Sequence, residues 1–453
     1  MQGSDIFIVR LSLGSNMVFY SPGRTSNYPD YPPPQGIRYH FLGGANEVGN
    51  VGCVFEDKFG NRSLLDYGLT PSDPPRYPNE SPRIKNTVVT HSHIDHIGMV
   101  PWLCSNYNSK IHGTPLTAKI SRLVWNDCYK VSRIEGYPLT WDKRDIDTSL
   151  DLWNTHKFNE KWEMENWDCT FRKAGHIPGA AMLKVNTENH KILFTGDFDS
   201  RDSPLTKGAS PEKCDILFIE GTYGGKNHPD KNDTIKEFKE HIVRVTDRGG
   251  TVLIPAFANG RTQDIVMTLH KHLPELDVHV DGMGKTIAKL QMEHPDELRS
   301  VEDLESAWKW SRRVSSKSDK RKALDSDCIV STSGMLDGGP SIWYLNRLRH
   351  DTRNSIVLTG YQAPGSGGNM LLDEKKVNIW GNKTTIDLEV KQLSFSTHAG
   401  HNEIVKFVED CDPENVVIYH SDPETARPHL DSDLLKLGFN VESPMNGDSH
   451  IID

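Results

Sequence analysis

The chain has 453 residues, of which 36% are hydrophobic and 25% charged, a composition that fits about two to four folded domains and excludes a disordered or collagen-like chain. Its formal net charge of −10 excludes a uniformly basic protein that coats nucleic acid. The sequence contains no apolar run approaching the roughly 18 residues of a membrane-spanning helix.

Residues 1–36 form a predicted N-terminal extension, because the proline-rich stretch 28–34 suits an extended connector and not a helix. Beyond it, short apolar runs are separated by Gly, Asn and Asp, a texture typical of β-strands. The stretch 116–152 is more helical. The predicted strands of this part of the chain are 37–42, 51–57, 63–66, 87–90, 169–174, 182–186, 191–195 and 216–219.

After Gly224 the sequence pattern changes and predicts alternating strands and helices. Such alternation is typical of a parallel sheet with helices on its faces. Strands are predicted at 251–255, 278–281, 328–332 and 355–359, and helices at 234–246, 261–273, 286–292 and 340–349. A strand, a helix, a strand and a helix follow at 385–391, 402–409, 415–419 and 424–437. We therefore predict an α/β fold in which one domain, residues 213–385, is inserted into another formed by residues 37–212 and 386–453.

Three histidines and an aspartate lie within six residues directly after the strand predicted at 87–90. In an extended loop the side chains of His91 and His93 point to one place, and those of Asp95 and His96 can turn towards a second place nearby. This arrangement suits two metal ions in one site. The nitrogen-rich ligand set favours zinc over manganese.

Two further predicted strand ends present residues of the same chemistry. His176 follows strand 169–174 in a turn shaped by Gly and Pro, and Asp197 follows strand 191–195. Taken alone, His176 is typical of a structural histidine, and Asp197 is typical of an ordinary aspartate at a strand end. Together with the first motif they predict a metal centre, in which a carboxylate shared by two ions would hold them roughly 3.5–4 Å apart.

The series HxHxDH, a distant His and a distant Asp resembles the motif series of the metallo-β-lactamase fold. Glu220, His398 and His420 lie in stretches similar to three later motifs of the β-CASP nucleases, one acidic and two with histidine. The motif at 91–96 and the stretch 43–49 are most similar to the cleavage and polyadenylation specificity factor nucleases, and among these to the short archaeal form without KH domains. The resemblance spans residues 37–453.

This resemblance implies a metallo-β-lactamase αββα sandwich with an inserted β-CASP α/β cap, and two Zn²⁺ ions as cofactors. His398 is the candidate general acid and Glu220 the residue that orients it, and Asp95 is counted with them as catalytic. Where the family pattern has an Asp two places after His398, this chain has Gly400. The resemblance assigns one ion to His91, His93, His176 and Asp197, and the other to Asp95, His96, Asp197 and His420.

Four residues of the inserted domain are candidates for contact with the substrate. His228 and Arg261 would hold backbone phosphate, and Ser333 and Gly334 lie in a stretch that matches the cap of the family. The alternative for His228 and Arg261 is that they are surface polar residues without a role in binding.

The implied function is zinc-dependent hydrolysis of phosphodiester bonds in single-stranded RNA, as an endonuclease or also as a 5′→3′ exonuclease, in RNA processing, 3′-end maturation or decay. The alternatives are a DNA-directed β-CASP nuclease and a small-molecule hydrolase of the metallo-β-lactamase fold. The inserted domain and the three later motifs argue against a small-molecule hydrolase. His420 favours RNA, because the DNA-directed branch tends to have an apolar residue there. A non-catalytic scaffold would have lost ligands, and all seven are present.

The expected partner is single-stranded RNA, and no membrane partner is expected. A homodimer or a place in an RNA-processing complex is left open. The seven cysteines have scattered spacing without a CxxC motif, which predicts buried free thiols in a reducing compartment and hence a cytoplasmic location.

Overall fold

The computed structural model describes residues 28–29 and 31–452. The predicted N-terminal extension, residues 1–36, lies mostly outside these residues. In chain order the strands are β1 Ile37–Gly43, β2 Gly52–Glu56, β3 Arg62–Leu65, β4 Asn86–Val88, β5 Lys110–Gly113, β6 Trp153–Thr155, β7 Lys161–Met164, β8 Trp167–Lys173, β9 Ala181–Asn186, β10 Lys191–Phe194, β11 Ile216–Glu220, β12 Val252–Pro255, β13 Val278–Asp281, β14 Arg312–Arg313, β15 Cys328–Ser331, β16 Ser355–Leu358, β17 Lys376–Ile379, β18 Asn382–Thr385, β19 Glu389–Gln392, β20 Asn415–Tyr419, β21 Asn440–Glu442 and β22 Ser449–Ile452.

The α-helices are α1 Ile94–Ile97, α2 Val100–Tyr107, α3 Pro115–Glu135, α4 Lys143–Asp151, α5 Lys231–Asp247, α6 Arg261–His272, α7 Gly284–Met292, α8 Val301–Trp310, α9 Lys317–Lys322, α10 Gly339–Leu348, α11 Gly367–Glu374, α12 His401–Cys411 and α13 Arg427–Lys436. Short 3₁₀ helices span Pro295–Glu297 and Ala323–Asp325.

Two seven-stranded sheets pack face to face. Their orders are β22-β1-β2-β3-β4-β5-β6 and β21-β20-β11-β10-β9-β8-β7. The facing surfaces share one apolar core, in which the rings of Phe55 and Phe218, one from each sheet, lie 4.9 Å apart. Helices α2, α3 and α4 cover the outer face of the first sheet, and α12 and α13 cover that of the second. These four layers confirm the predicted αββα sandwich.

A third sheet has six strands in the order β14-β13-β15-β12-β16-β19, and every neighbouring pair is parallel. Helices α5, α6 and α8 pack on one face, and α10, α11 and the β17–β18 hairpin pack on the other. The predicted parallel sheet with helices on its faces is thereby confirmed. Because all six carboxyl ends lie at one edge, this edge is where such a sheet binds ligands.

The ends of the chain join the sandwich on both sides of this third unit. Strand β22 pairs antiparallel with β1, with Ile452 opposite Ile37. Strand β20 pairs parallel with β11, and β21 pairs parallel with β20. The chain therefore leaves the sandwich after β11 and returns to it through the segment that follows β19.

Helix α3 connects the sandwich to the third unit. Its first turn is capped by the Thr114 hydroxyl, which accepts from the Thr117 N–H, and it ends at Gly136 in the left-handed region at φ +74°. Its residues Leu116 and Ile120 pack against Ile287 of α7. Within residues 28–29 and 31–452, no helix is long and apolar enough to cross a membrane, and all seven cysteines of the chain are free thiols.

Candidate metal centre and its surroundings

The loop after β4 is shaped so that its ligand-type side chains point to two neighbouring places. His93 has extended backbone, with φ −73° and ψ 149°, and the helical turn α1 begins at the next residue. Asp66, at φ +57°, fixes the start of the loop, because its carboxylate accepts from the Thr90 N–H and hydroxyl, both at 2.8 Å. The residues so placed are His91, His93, Asp95 and His96.

The first place is a cluster of three histidines and one aspartate. His176 lies in the turn between β8 and β9, and Asp197 follows β10. These turns need Gly175 at φ +75° and Gly196 at φ +57°, conformations that favour glycine. The ligand-type atoms of the cluster lie within 4.8 Å of one another. The cluster comprises His91, His93, His176 and Asp197.

The second place is a cluster of Asp95, His96 and His420, whose ligand-type atoms also lie within 4.8 Å of one another. His420 follows β20 at φ +49°, and its N–H donates to the Gly44 carbonyl at 2.7 Å. A left-handed conformation at a residue with a side chain is strained, and such strain is concentrated at functional sites.

Asp197 lies between the two clusters. Its Oδ2 is 3.5 Å from His91 Nε2 and 3.8 Å from His176 Nε2. Its Oδ1 is 3.3 Å from His96 Nε2 and 3.4 Å from His420 Nδ1. One carboxylate therefore presents one oxygen to each cluster, the arrangement of a ligand that bridges two ions.

The buried polar atoms of the centre fit metal ions. Within the part of the chain that the structure describes, His91 Nε2, His96 Nε2, His420 Nε2 and Asp197 Oδ1 are buried without a hydrogen-bond partner. Unsatisfied buried polar atoms are costly, so a ligand is expected at these atoms. Imidazole nitrogens with carboxylate oxygens are the donor set that suits zinc.

The protonation states agree with metal binding. Burial lowers the pKa of His91 and of His176 well below the usual value, so both imidazoles are neutral and able to ligate. Burial alone would raise the pKa of Asp197, but His96 and His420 outweigh it and hold this pKa well below its usual range. Burial also lowers the pKa of His96, yet the surrounding carboxylates, Asp197 first, raise it well above normal. A divalent cation would compensate this negative charge in place of the proton.

A second layer of hydrogen bonds orients the imidazoles. His96 Nδ1 lies 2.7 Å from Asp66 Oδ2, and His176 Nδ1 lies 2.8 Å from the Thr397 carbonyl. Such bonds fix the tautomer that leaves Nε2 free to ligate. Our sequence reasoning missed Asp66. The sequence signal for Asp66 was a polar residue at the end of the predicted strand 63–66. In the structure this strand pairs with β4, which precedes the histidine motif.

Beside the first cluster, His398 Nδ1 lies 2.8 Å from Glu220 Oε1. Glu220 is fully buried at the end of β11, and its carboxylate also accepts from the N–H groups of Phe198 and Thr222 at 3.0 and 3.3 Å. The rings of His398 and His176 are 4.5 Å apart. Burial lowers the pKa of His398, but the charge of Glu220, followed by that of Asp197, outweighs it and raises the pKa to about 9. His398 is therefore a charged imidazolium at neutral pH, the form that a general acid requires.

The chain matches three families of domains in succession. The metallo-beta-lactamase superfamily matches residues 79–211, the Beta-Casp domain matches 262–371, and the Zn-dependent metallo-hydrolase RNA specificity domain matches 384–444. A protein of Methanocaldococcus jannaschii named "Probable RNase MJ4" is 32% identical over 90% of this chain and 98% of its own length. The chain belongs to the β-CASP family of the metallo-β-lactamase superfamily. It is a metal-dependent hydrolase.

Other relatives agree with this membership. "RNase aCSPSF2" of Saccharolobus solfataricus is 31% identical to this β-CASP protein, over 90% of this chain and 83% of its own length. A solved structure of a protein of unknown function from Enterococcus faecalis superposes with a TM-score of 0.58 at 13% identity, covering 92% of this chain and 100% of that one. At that identity the superposition supports the fold alone.

His228 supports the backbone of His398 in this β-CASP protein. The His398 carbonyl accepts from Arg201 Nη2 and lies near His228 Nε2, both at 3.0 Å. The second ring nitrogen of His228 lies 3.2 Å from the Ser394 hydroxyl, so both of its nitrogens face groups of the chain. Burial, followed by Arg201, lowers the pKa of His228 to about 4 and keeps the ring neutral.

The same packing explains Gly400. A Cβ at this position would lie 2.5 Å from Glu403 Oε2 and 3.2 Å from His228 Cδ2. A side chain at this position would therefore displace the end of Glu403 and press on His228. The support of His398 comes from Glu220, Arg201 and His228 instead.

The other candidate residues for substrate binding lie on the third unit. Arg261, the first residue of α6, is only 8% exposed and donates from Nη1 to the Thr359 carbonyl at 3.0 Å. Ser333 and Gly334 follow β15. In the third sheet, strands β12 and β16 lie between β15 and β19. The structure therefore brings His228 next to the candidate acid and leaves Ser333 and Gly334 further along the carboxyl edge of the third sheet.

Proposed function

We propose that this β-CASP protein is a zinc-dependent ribonuclease that hydrolyses phosphodiester bonds within single-stranded RNA, with a 5′→3′ exonuclease mode as a second activity of the same site. The observation that supports this most is the position of Asp197, between two histidine clusters and beside the His398–Glu220 pair. Relatives named as RNases support RNA as the substrate and a role in RNA processing.

We assign two zinc ions to the centre, one to each cluster, with Asp197 shared between them. The support is the donor chemistry and the four orphaned buried atoms. The ions would supply a water of lowered pKa as the nucleophile and would neutralise the charge of the phosphate. The ligand residues are His91, His93, His176 and Asp197 for one ion, and Asp95, His96, Asp197 and His420 for the other.

The residues of the chain divide the remaining work. His398 donates the proton that the 3′ oxygen needs as its bond to phosphorus breaks. A water oxygen, which releases a proton to solvent, forms the new bond to phosphorus. The products are a 5′ phosphate and a 3′ hydroxyl. Glu220 orients the ring through Nδ1 and stabilises its charge, so that the other nitrogen of the ring can face the leaving oxygen. Arg201 and His228 hold the His398 backbone in place.

The domain limits of residues 37–212, 213–385 and 386–453 remain a prediction, as do the cytoplasmic location and the oligomeric state. Strand β19, Glu389–Gln392, pairs with β16 in the third sheet, so we propose that the return to the sandwich falls just after it.

The test is a cleavage assay with single-stranded RNA, duplex RNA and single-stranded DNA of one sequence, each carrying either a 5′ or an internal label, with and without a chelator. We expect internal cuts in single-stranded RNA that stop on chelation and resume when zinc is added. Equal cleavage of the DNA would favour the DNA-directed alternative. Cleavage that persists in chelator would contradict a metal-dependent site.

A further inference from the structure

Two aromatic side chains are exposed at neighbouring strand ends of the third sheet. Phe257 follows β12 and is 40% exposed, and Tyr361 follows β16 and is 52% exposed. Strands β12 and β16 are adjacent and parallel, with Leu253 opposite Ile356, so this register brings Phe257 level with Gly360, the residue before Tyr361. Both rings therefore lie at the carboxyl edge of the sheet.

This edge lies near the candidate metal centre. Asn259, two residues after Phe257, donates from Nδ2 to the hydroxyl of Ser92, which stands between the candidate ligands His91 and His93, at 3.0 Å. Strand β16 is the neighbour of β12 in the sheet, and β19 is the outer neighbour of β16. With neighbouring strands about 4.8 Å apart, the end of β16 lies about 5 Å from the end of β12.

Tyr361 also lies near the sandwich side of the site. Burial, followed by the neighbouring Tyr223 and Asp422, raises the pKa of its hydroxyl. Tyr223 in turn has its ring 6.0 Å from that of His398, and Asp422 lies two residues beyond the candidate ligand His420. Tyr361 thus lies close to the loops that follow β11 and β20 of the sandwich.

Phe257 is held in place by its neighbours. Its carbonyl accepts from the Thr262 N–H at 3.0 Å and from the Thr262 hydroxyl at 2.7 Å. A Cβ at Gly334 would lie 2.9 Å from the Phe257 nitrogen and 3.3 Å from its Cδ2, so the absence of a side chain at Gly334 lets the ring lie against this turn. A ring that is already ordered loses little conformational entropy when a base stacks on it.

Charge and backbone access along the same edge favour a nucleic acid as the occupant. At the far end of this sheet edge, helix α9 follows β14. It carries the exposed basic residues Lys317, Arg321 and Lys322, although the whole chain has a net charge of −10. At Gly360 a Cβ would meet no described atom within 4 Å, so a phosphodiester backbone can approach the main chain there. Aromatic rings followed by basic side chains are the combination that binds single strands.

We infer that Phe257 and Tyr361 form a stacking platform for two bases of the single-stranded RNA next to the cleavage site. The inference rests on the proposed function. It adds the residues that select unpaired bases, because a base within a duplex has no free face to stack on a protein ring.

The experiment measures the affinity of the full chain, kept in chelator, for a fluorescent 12-nucleotide oligouridylate. The variants are Phe257→Ala, Tyr361→Ala, Phe257→Trp and Tyr361→Phe. Loss of base–aromatic stacking weakens binding by roughly 5- to 150-fold per ring. We expect losses of this size for the two alanine variants, and near wild-type affinity for the two variants that keep a ring.

Phe59→Ala is the matched control. Phe59 is 66% exposed in the turn between β2 and β3, at the end of the first sheet away from the metal centre, and its loss should leave the affinity unchanged. The second control is the same oligonucleotide with single abasic sites. An abasic nucleotide opposite a ring should weaken wild-type binding as much as the alanine variant does, and the two losses should not add. Thermal unfolding of each variant separates a lost contact from a lost fold.

The inference is overturned if Phe257→Ala and Tyr361→Ala bind within twofold of Phe59→Ala, or if their losses add fully to those of the abasic sites. A change in oligomeric mass with unchanged RNA affinity would overturn it in favour of a protein contact. Because binding is measured without metal, a chain that binds the oligonucleotide but never cleaves it with zinc contradicts the proposed function and not this inference.

Discussion

His398 Nδ1 and Glu220 Oε1 lie 2.8 Å apart, although 178 positions separate the two residues in the chain. Glu220 ends β11 of the sandwich, whereas His398 lies on the segment that returns from the third sheet. The ion pair therefore joins the strand that precedes the inserted unit to the segment that follows it. The neighbouring Ala399 N–H donates to the Phe198 carbonyl at 2.8 Å, so this segment is held on the sandwich.

Glu220→Gln should move the alkaline limit of activity to lower pH. Burial lowers the pKa of His398, but the charge of Glu220, followed by that of Asp197, outweighs it and raises this pKa to about 9. His398 acts in its protonated form, so the activity that it supports is present below this pKa and is lost as pH rises through it. Without the carboxylate charge, that loss should begin at lower pH. The measurement is the pH dependence of single-turnover RNA cleavage, with Glu163→Gln on the exposed face of β7 as the control. An unchanged alkaline limb would mean that Glu220 does not act through His398.

His398→Ala and His420→Ala should both lose RNA cleavage, but for different reasons. His398→Ala should keep the metal content of the wild type and lose turnover by about 10²–10⁴-fold, the usual contribution of a general acid. A substrate with a better leaving group should restore much of this loss, because it needs little protonation. His420→Ala should lose metal and stay impaired on that substrate. Equal loss of metal in both variants, measured by elemental analysis, would show that the two roles are wrongly divided.

Asp66→Asn should weaken metal binding although Asp66 is in neither ligand cluster. It accepts from Thr90 and lies 2.7 Å from His96 Nδ1, so it sets both the loop and the tautomer of one ligand. Loss of such a partner typically costs 10–100-fold in metal affinity. Titration against a competing chelator measures the effect, and the exposed Asp168→Asn on β8 is the control. Wild-type affinity in Asp66→Asn would contradict this role.

Gly400→Asp, which restores the residue of the family pattern, should destabilise this chain. The end of the Glu403 side chain can move away, but the ring and the backbone nitrogen of His228 would lie 3.2 and 3.3 Å from the new Cβ, and overpacking of this kind costs about 1–3 kcal/mol. The free energy of unfolding in denaturant measures the cost. Adding His228→Ala should recover part of the stability, because it removes the ring contact and leaves only the backbone contact of residue 228. Full stability together with higher activity in Gly400→Asp would contradict our explanation of this position.

The sequence allowed the metal centre to be predicted because its signals are local. The cluster residues come soon after the carboxyl ends of apolar runs, namely β4 of the first sheet and β8, β10 and β20 of the second. Asp66 was missed for the opposite reason. Asp66 is the last residue of the predicted strand 63–66, but only the pairing of β3 with β4 brings it to His96.

Most elements that sequence reasoning did not predict are short or non-local, although the ten-residue helix α8 was missed as well. Strands β5, β6 and β7 have three or four residues, too few for a clear alternation of apolar and polar positions. Strand β22 is defined by its pairing with β1 at the other end of the chain. The predicted strand 385–391 is divided between β18 of the hairpin and β19 of the third sheet. Phe257 and Tyr361 lie in two stretches that resemble the cap of the family, but no role for either ring followed from that resemblance, and their exposure at one sheet edge is what suggests one.

The most direct test of the account is a zinc titration of the metal-free chain, with bound zinc and RNA cleavage measured on the same samples. Because Asp197 presents one oxygen to each cluster, we predict two zinc ions per chain at saturation and full cleavage of single-stranded RNA only as the second ion binds. Asp197→Asn should bind both ions more weakly and lose activity. Full cleavage with one ion per chain, or in the absence of any bound metal, would contradict the two-ion site.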